Sequence, residues 1–228
     1  MPCRTEQTMK IFLDTSDPEL IRSAHKTGLI DGVTTNPSLM LSQGQKPLDV
    51  IKEIADIFDG SAASISAEVN SETAEEMLEE AKPFYYLHPN VTIKVPCNYD
   101  GLLACKELAD QGIAVNVTLI FSVSQAILAA KAGAAYVSPF VGRVEDQRFD
   151  AMSLIKDIVQ TYEYQAVDDT EILAASTRTV DHIEKCFKYG ADVVTMPPAL
   201  FWKMYKHSLT DAGLDKFKQD WESLKSKL

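Results

Sequence analysis

A lysine set among β-branched residues is an unusual place for a charge, and the run VTIKVP at 91–96 contains one, Lys94. Successive side chains of a strand point to opposite faces. Ile93 and Val95 therefore share one face, and Lys94 lies on the other with Thr92 and Pro96. If the apolar face meets covering helices, Lys94 is an interior amine. An ordinary amine, with a pKa of about 10.4, is free base to roughly one part in 2,500 at pH 7. Burial lowers an amine's pKa by as much as about 3 to 5 units, which suits an interior lysine to nucleophilic attack on a carbonyl. The iminium so formed at C2 of a ketose is an electron sink for breaking the C3–C4 bond, without metal or cofactor. The alternative is a buried salt bridge between Lys94 and Glu68 or Asp14.

The same alternation sends Asp14 inward from KIFLD, Glu68 from SISAEV, Asn116 and Thr118 from AVNVTLI, and Ser138 from AAYVSPF; GVTTN adds Asn36. Taken singly, each reads as a satisfied core polar group. An unpartnered polar group costs on the order of 1 to 3 kcal/mol to bury, so one interior that collects them from strand after strand points to a site. Anion binding falls to Arg143, just after the SPF strand end, and Arg178, with Ser176 beside it. Arginine's fork grips phosphate in two-pronged fashion. No GxGxxG, Walker A or HExxH motif is present, and His25, His88, His182 and His207 lack metal-ligand spacing. Cys97 has no companion histidine and reads as a packing residue.

These residues need a scaffold that repeats. Eight times, a short strand ending in a polar residue gives way to an amphipathic helix, at intervals of about 26 residues. That pattern predicts a parallel sheet closed into a (β/α)8 TIM barrel of the α/β class, a single domain over 1–228. Ser16–Glu19 and Ser122–Gln125 have the form of capping boxes. The uncharged stretch 112–130 is long enough for a membrane span, but Asn116, Thr118, Ser122, Ser124 and Gln125 interrupt it, and it reads as a strand followed by a helix. From about 197 onward, C-terminal helices carry Trp202, Tyr205, Phe217 and Trp221. So much aromatic surface is expected to pack on the barrel or on another subunit.

Composition narrows the partners. The 228 residues carry 22 basic and 33 acidic side chains, a net charge of -11, so the surface repels nucleic acid and acidic membranes. A phosphorylated small molecule can bind only where arginines overrule that field. Cys3, Cys97, Cys105 and Cys186 form no CxxC pair, which fits a reducing cytoplasm. Residues 1–8 look like neither a secretory signal nor part of the barrel. They are expected to be a disordered lead, with Met9 as an alternative start.

The segments FLDT, DGVTTNPSL, TIKVP, NVTLIFSVSQA, YVSPFVGR and AAS followed by Arg178 resemble the transaldolase family, most closely its short branch, which includes the fructose-6-phosphate aldolases. The resemblance covers Met9 to about Ala199. It implies that Lys94 is the Schiff-base lysine and Asp14 the acid/base acting on the C4 hydroxyl. Glu68 and Thr118 would hold the water that shuttles protons. Asn36, Asn116 and Ser138 would grip the dihydroxyacetone hydroxyls, and Arg143, Ser176 and Arg178 the sugar phosphate. The aldolases resemble a pattern of Gln on the third strand and Tyr after the sixth; here stand Glu68 and Phe140, the transaldolase pair. The expected reaction moves a three-carbon unit from sedoheptulose 7-phosphate to glyceraldehyde 3-phosphate, giving erythrose 4-phosphate and fructose 6-phosphate. The alternatives are an aldolase releasing free dihydroxyacetone and a non-catalytic sugar-phosphate-binding barrel. Short-branch relatives form rings of subunits, which implies a homo-oligomer, a pentamer or decamer, whose C-terminal helix reaches a neighbour.

Overall fold

A computed structural model describes residues 9–226; the expected lead, residues 1–8, lies outside them. The first half of the chain runs β1 (Lys10–Asp14), α1 (Pro18–His25), β2 (Gly32–Thr34), α2 (Pro37–Gln43), α3 (Pro47–Ile57), β3 (Ser64–Glu68), α4 (Ala74–Tyr85), β4 (Val91–Pro96) and α5 (Tyr99–Asp110). The second half runs β5 (Val115–Ile120), α6 (Val123–Lys131), β6 (Tyr136–Pro139), α7 (Val141–Asp146), α8 (Ala151–Tyr164), β7 (Glu171–Ala174), α9 (Val180–Lys188), β8 (Val193–Met196), α10 (Pro198–Lys203) and α11 (Ser208–Lys225). The strands pair in chain order, all parallel, and β8 returns to β1. The result is a closed (β/α)8 barrel with a C-terminal helical extension. None of the described helices is long and apolar enough to cross a membrane.

Alternation partitions the strands as expected. Leu13, Val33, Ala67, Ile93, Val95, Val115, Val117 and Val137 face the helices and pack with Ile21, Ile51, Ile54, Leu108 and Ile155 in one continuous core. Each such aliphatic side chain contributes about 1.5 to 3 kcal/mol when fully buried. Inside the barrel, Phe12, Leu173 and Val193 form a separate apolar plug, flanked by Tyr136 and Phe140. Thr34, Ser66, Lys94, Asn116, Ser138 and Thr195 are buried on other strands. The polar residues named for chemistry therefore sit on elements that an apolar shell holds rigid.

The helix ends differ from expectation in two places. Asp17, not Ser16, caps α1: its carboxylate accepts from the amides of Glu19 and Leu20. Ser16 is turned into the interior instead. At α6 only half of the box forms. Ser122 Oγ accepts from the Gln125 amide, but Gln125 Oε1 reaches one residue further back, to the Phe121 amide at 2.8 Å. A complete box caps α4, where Thr73 and Glu76 exchange bonds.

The C-terminal region divides. Leu200 and Phe201 of α10 are buried, whereas α11 has no buried residue and leaves Phe217 and Trp221 exposed. Packing on the barrel thus accounts for α10 and not for α11.

Gly32 marks a tight point of the barrel floor. A Cβ there would lie 2.4 Å from the Ser64 carbonyl oxygen and 2.8 Å from the Phe12 ring, so β2 can pass the plug only without a side chain. Gly32→Ala is expected to lower stability by about 1 to 3 kcal/mol, the usual cost of overpacking, read from the denaturant midpoint. An unchanged midpoint would show slack where the geometry allows none.

Candidate active site

Strand register puts two interior charges side by side. Glu68 on β3 pairs with Lys94 on β4, and Lys94 with Asn116 on β5. Lys94 Nζ lies 3.0 Å from Glu68 Oε2 and donates to the Thr35 carbonyl at 3.0 Å. The lysine is only 6% exposed. Its ammonium therefore has two acceptors in place of water, which is what keeps a buried charge tolerable.

Asp14 ends β1 across the cavity. Thr34 Oγ1 donates to its Oδ1 at 2.9 Å and lies 2.7 Å from Thr195 Oγ1. Burial pushes the Asp14 carboxyl above the ordinary aspartate range, while the Lys94 charge and the Thr34 hydrogen bond pull it back down. Asp14 and Glu68 thus have different settings: one carboxyl leans on a hydroxyl pair, the other on an ammonium.

A cavity of about 280 Å³ opens over these groups at the C-terminal ends of the strands, the end at which barrel enzymes carry their sites. Asp14, Asn36, Glu68, Lys94, Thr118, Ser138, Phe140, Arg143 and Ser176 all line it. Asn36 also caps α2, accepting from the Leu39 amide at 3.0 Å, so its Nδ2 is the group left for a ligand. Asn116 does not line the cavity. It stands one layer below, donating to Ser66 Oγ at 3.1 Å and accepting from Ser138 Oγ at 2.7 Å, and so orients Ser138.

Thr118 sits at a break in the sheet. The β5–β6 register shifts between Val117 and Ile120, and Leu119 adopts a left-handed φ of 61°. Such a conformation in a branched residue costs on the order of 1 to 3 kcal/mol and is common at functional sites. It leaves the Thr118 hydroxyl buried with no protein hydrogen-bond partner among the described residues. A second left-handed residue, Ser176, lies across the cavity with φ 59°.

The cationic side is uneven. Arg143 stacks its guanidinium over the Phe140 ring at 4.8 Å and lines the cavity. Arg178 does not line it; both terminal nitrogens are engaged by Asp146.

The family model described as transaldolase/fructose-6-phosphate aldolase matches residues 11–228. The chain belongs to that family. The match runs through the C-terminal helices, beyond the stretch that carries the motifs. The chain is 52% identical over 215 residues to a probable transaldolase of Caulobacter vibrioides, covering 94% of this chain and 97% of that one. It is 49% identical over 223 residues to a probable transaldolase of Paracoccus denitrificans, covering 96% and 100%. A probable transaldolase of Symbiobacterium thermophilum is 46% identical over 220 residues, 96% of this chain and 100% of that one. Among solved structures, thiamine phosphate pyrophosphorylase from Pyrococcus furiosus superposes with a TM-score of 0.59 at 15% identity, over 83% of this chain and 85% of that one. That likeness concerns the barrel fold alone.

Sequence reading missed four groups in and around this family member's site. Thr34 and Thr195 follow from the same alternation, because their neighbours Val33 and Met196 face the helices. The Thr35 carbonyl and the Asp146 carboxylate carry no comparable signal, since each meets its partner only through the fold.

The Asp14 environment sets a sign. Its native pKa lies above the unfolded value, so its ionised form is disfavoured in the fold. The stability associated with the neutral form is complete below the ordinary aspartate range and is lost as pH rises through the native pKa. Asp14→Asn, which cannot ionise, is expected to melt above the parent protein at pH 7, with the gap narrowing on acidification. A lower melting temperature at pH 7 would mean that the Lys94 charge and the Thr34 bond outweigh burial.

Proposed function

We propose that the chain is a transaldolase, moving a dihydroxyacetone unit from sedoheptulose 7-phosphate to glyceraldehyde 3-phosphate through a Schiff base on Lys94. The observation that carries the reading is the buried Lys94 amine, 3.0 Å from Glu68, in a cavity that Asp14 also lines. Glu68 takes the ammonium proton, and the free amine attacks the donor's C2. Water leaves as the iminium forms, with Glu68 and the otherwise unpartnered Thr118 hydroxyl holding that water. Asp14 removes the C4 hydroxyl proton, the C3–C4 bond breaks, and its electron pair passes into the iminium as an enamine while erythrose 4-phosphate departs. The enamine carbon then attacks the acceptor's aldehyde carbon, and Asp14 returns its proton to the new hydroxyl. Hydrolysis of the imine releases fructose 6-phosphate and regenerates Lys94.

The raised Asp14 carboxyl supports the acid/base role, because proton transfer in both directions favours a group near the working pH. Asn36 Nδ2 and Ser138 bind the hydroxyls of the three-carbon unit, with Asn116 setting the direction of Ser138. Arg143, Ser176 and Arg178 take the phosphate.

Phe140 favours transfer over release. Its ring lies on the cavity wall under Arg143 and brings no hydroxyl to the enamine, so the enamine waits for an acceptor. The exposed Leu214, Phe217 and Trp221 of α11 support a homo-oligomer in which a neighbouring subunit covers this face, and the cysteines without a CxxC pair support a cytoplasmic setting.

Fructose 6-phosphate turnover is expected to depend on an added acceptor aldehyde such as erythrose 4-phosphate. Phe140→Tyr should raise the acceptor-free rate about tenfold, the worth of one hydrogen bond in a transition state. Equal rates with and without acceptor would favour the aldolase. No turnover with either, in a folded protein that binds the sugar, would favour a binding barrel.

A further inference from the structure

We infer that Asp146 is the positioning residue of the anion site, holding the Arg178 guanidinium against α7, the helix that also carries Arg143, before a phosphate arrives. The inference rests on the phosphate role proposed for Arg143, Ser176 and Arg178, and extends it to a residue that touches neither cavity nor substrate.

One short helix, α7, handles the whole Arg178 side chain. At its start, Gly142 offers bare backbone to the arginine stem: a Cβ at 142 would lie 2.6 Å from Arg178 Nε and 3.1 Å from Cδ. One turn further, on the same face, Asp146 takes the head, with Nη1 and Nη2 donating to the two carboxylate oxygens. The i, i+4 spacing matches the length of an arginine laid along a helix. Arg143, the residue after Gly142, turns into the cavity over Phe140. Both cations are therefore referred to one rigid turn.

The backbone of the Arg178 loop is tied to the same helix. The amides of Val141 and Gly142 donate to the carbonyls of Ala175 and Ser176 at 2.9 and 3.0 Å. The Arg178 amide donates to His182 Nδ1 at 3.4 Å, which leaves the Nε2 proton for Glu145 of α7 at 3.0 Å. Loop, stem and head are thus each fixed by α7.

This pair does not serve stability. Arg178 and Asp146 are each about half exposed, 49% and 48%, and ion pairs so placed contribute little to folding. What the pair supplies is order: an arginine that is already held loses less rotational freedom when it meets an anion. Electrostatics alone predicts the opposite sign, because deleting a carboxylate near an anion site should strengthen anion binding.

The two signs separate in a ³¹P NMR titration with inorganic phosphate, which requires no turnover. Asp146→Asn is expected to raise Kd about tenfold and Asp146→Glu to recover most of the loss. Arg178→Ala should weaken binding at least as much, and the double variant no further than Arg178→Ala. If Arg178→Ala weakens binding but Asp146→Asn leaves it equal or tighter, Asp146 does not position the arginine and the phosphate role still stands. A further loss in the double variant would also overturn the inference, since Asp146 would then act without Arg178. Arg178→Ala with the parent affinity, or a parent protein that does not bind phosphate, overturns both readings.

Discussion

Taking Lys94 and Glu68 out of water costs several kcal/mol per ion, and the rest of the architecture is arranged around that cost. The pair can exist only if register sets the two residues opposite each other and the remaining donors of the ammonium find an oxygen. Parallel pairing of β3 with β4 meets the first demand and the Thr35 carbonyl the second. The apolar plug of Phe12, Leu173 and Val193 fills part of the barrel interior. Gly32 lets β2 pass that plug.

The cavity divides by chain position. Units one to five supply Asp14, Asn36, Glu68, Lys94 and Thr118, the groups suited to imine chemistry and proton transfer. Units six and seven supply Phe140, Arg143 and Ser176, which suit an anion and the carbon chain next to it. The two non-glycine left-handed residues that line the cavity, Leu119 and Ser176, fall one on each side. In a net-acidic protein, Arg143 on that wall supplies the local positive charge that an anion needs.

The strands and their inward faces were legible because a parallel barrel strand has helices on one side and the interior on the other. A charge between two valine-like neighbours can then point only one way. That argument located Asp14, Glu68, Lys94, Thr118 and Ser138, and it holds equally for Thr34 and Thr195, which the sequence reading passed over. It does not say which layer a polar residue occupies, which is why Asn116 was expected at the ligand and stands beneath it. Arg178 shows a different limit. Its partner lies 32 residues earlier, on a six-residue helix that has no periodicity to betray it. Caps failed for a local reason: at α1 and α6 the neighbouring residue offered a competing oxygen or amide within reach.

Trapping tests most directly whether Lys94 forms a covalent imine with the donor sugar. Incubation with fructose 6-phosphate and borohydride, followed by intact mass and peptide mapping, should give a reduced sugar or dihydroxyacetone adduct on Lys94, absent from Lys94→Ala. A folded, sugar-binding protein that yields no adduct, or an adduct on another lysine, would rule out Lys94 as the Schiff-base residue.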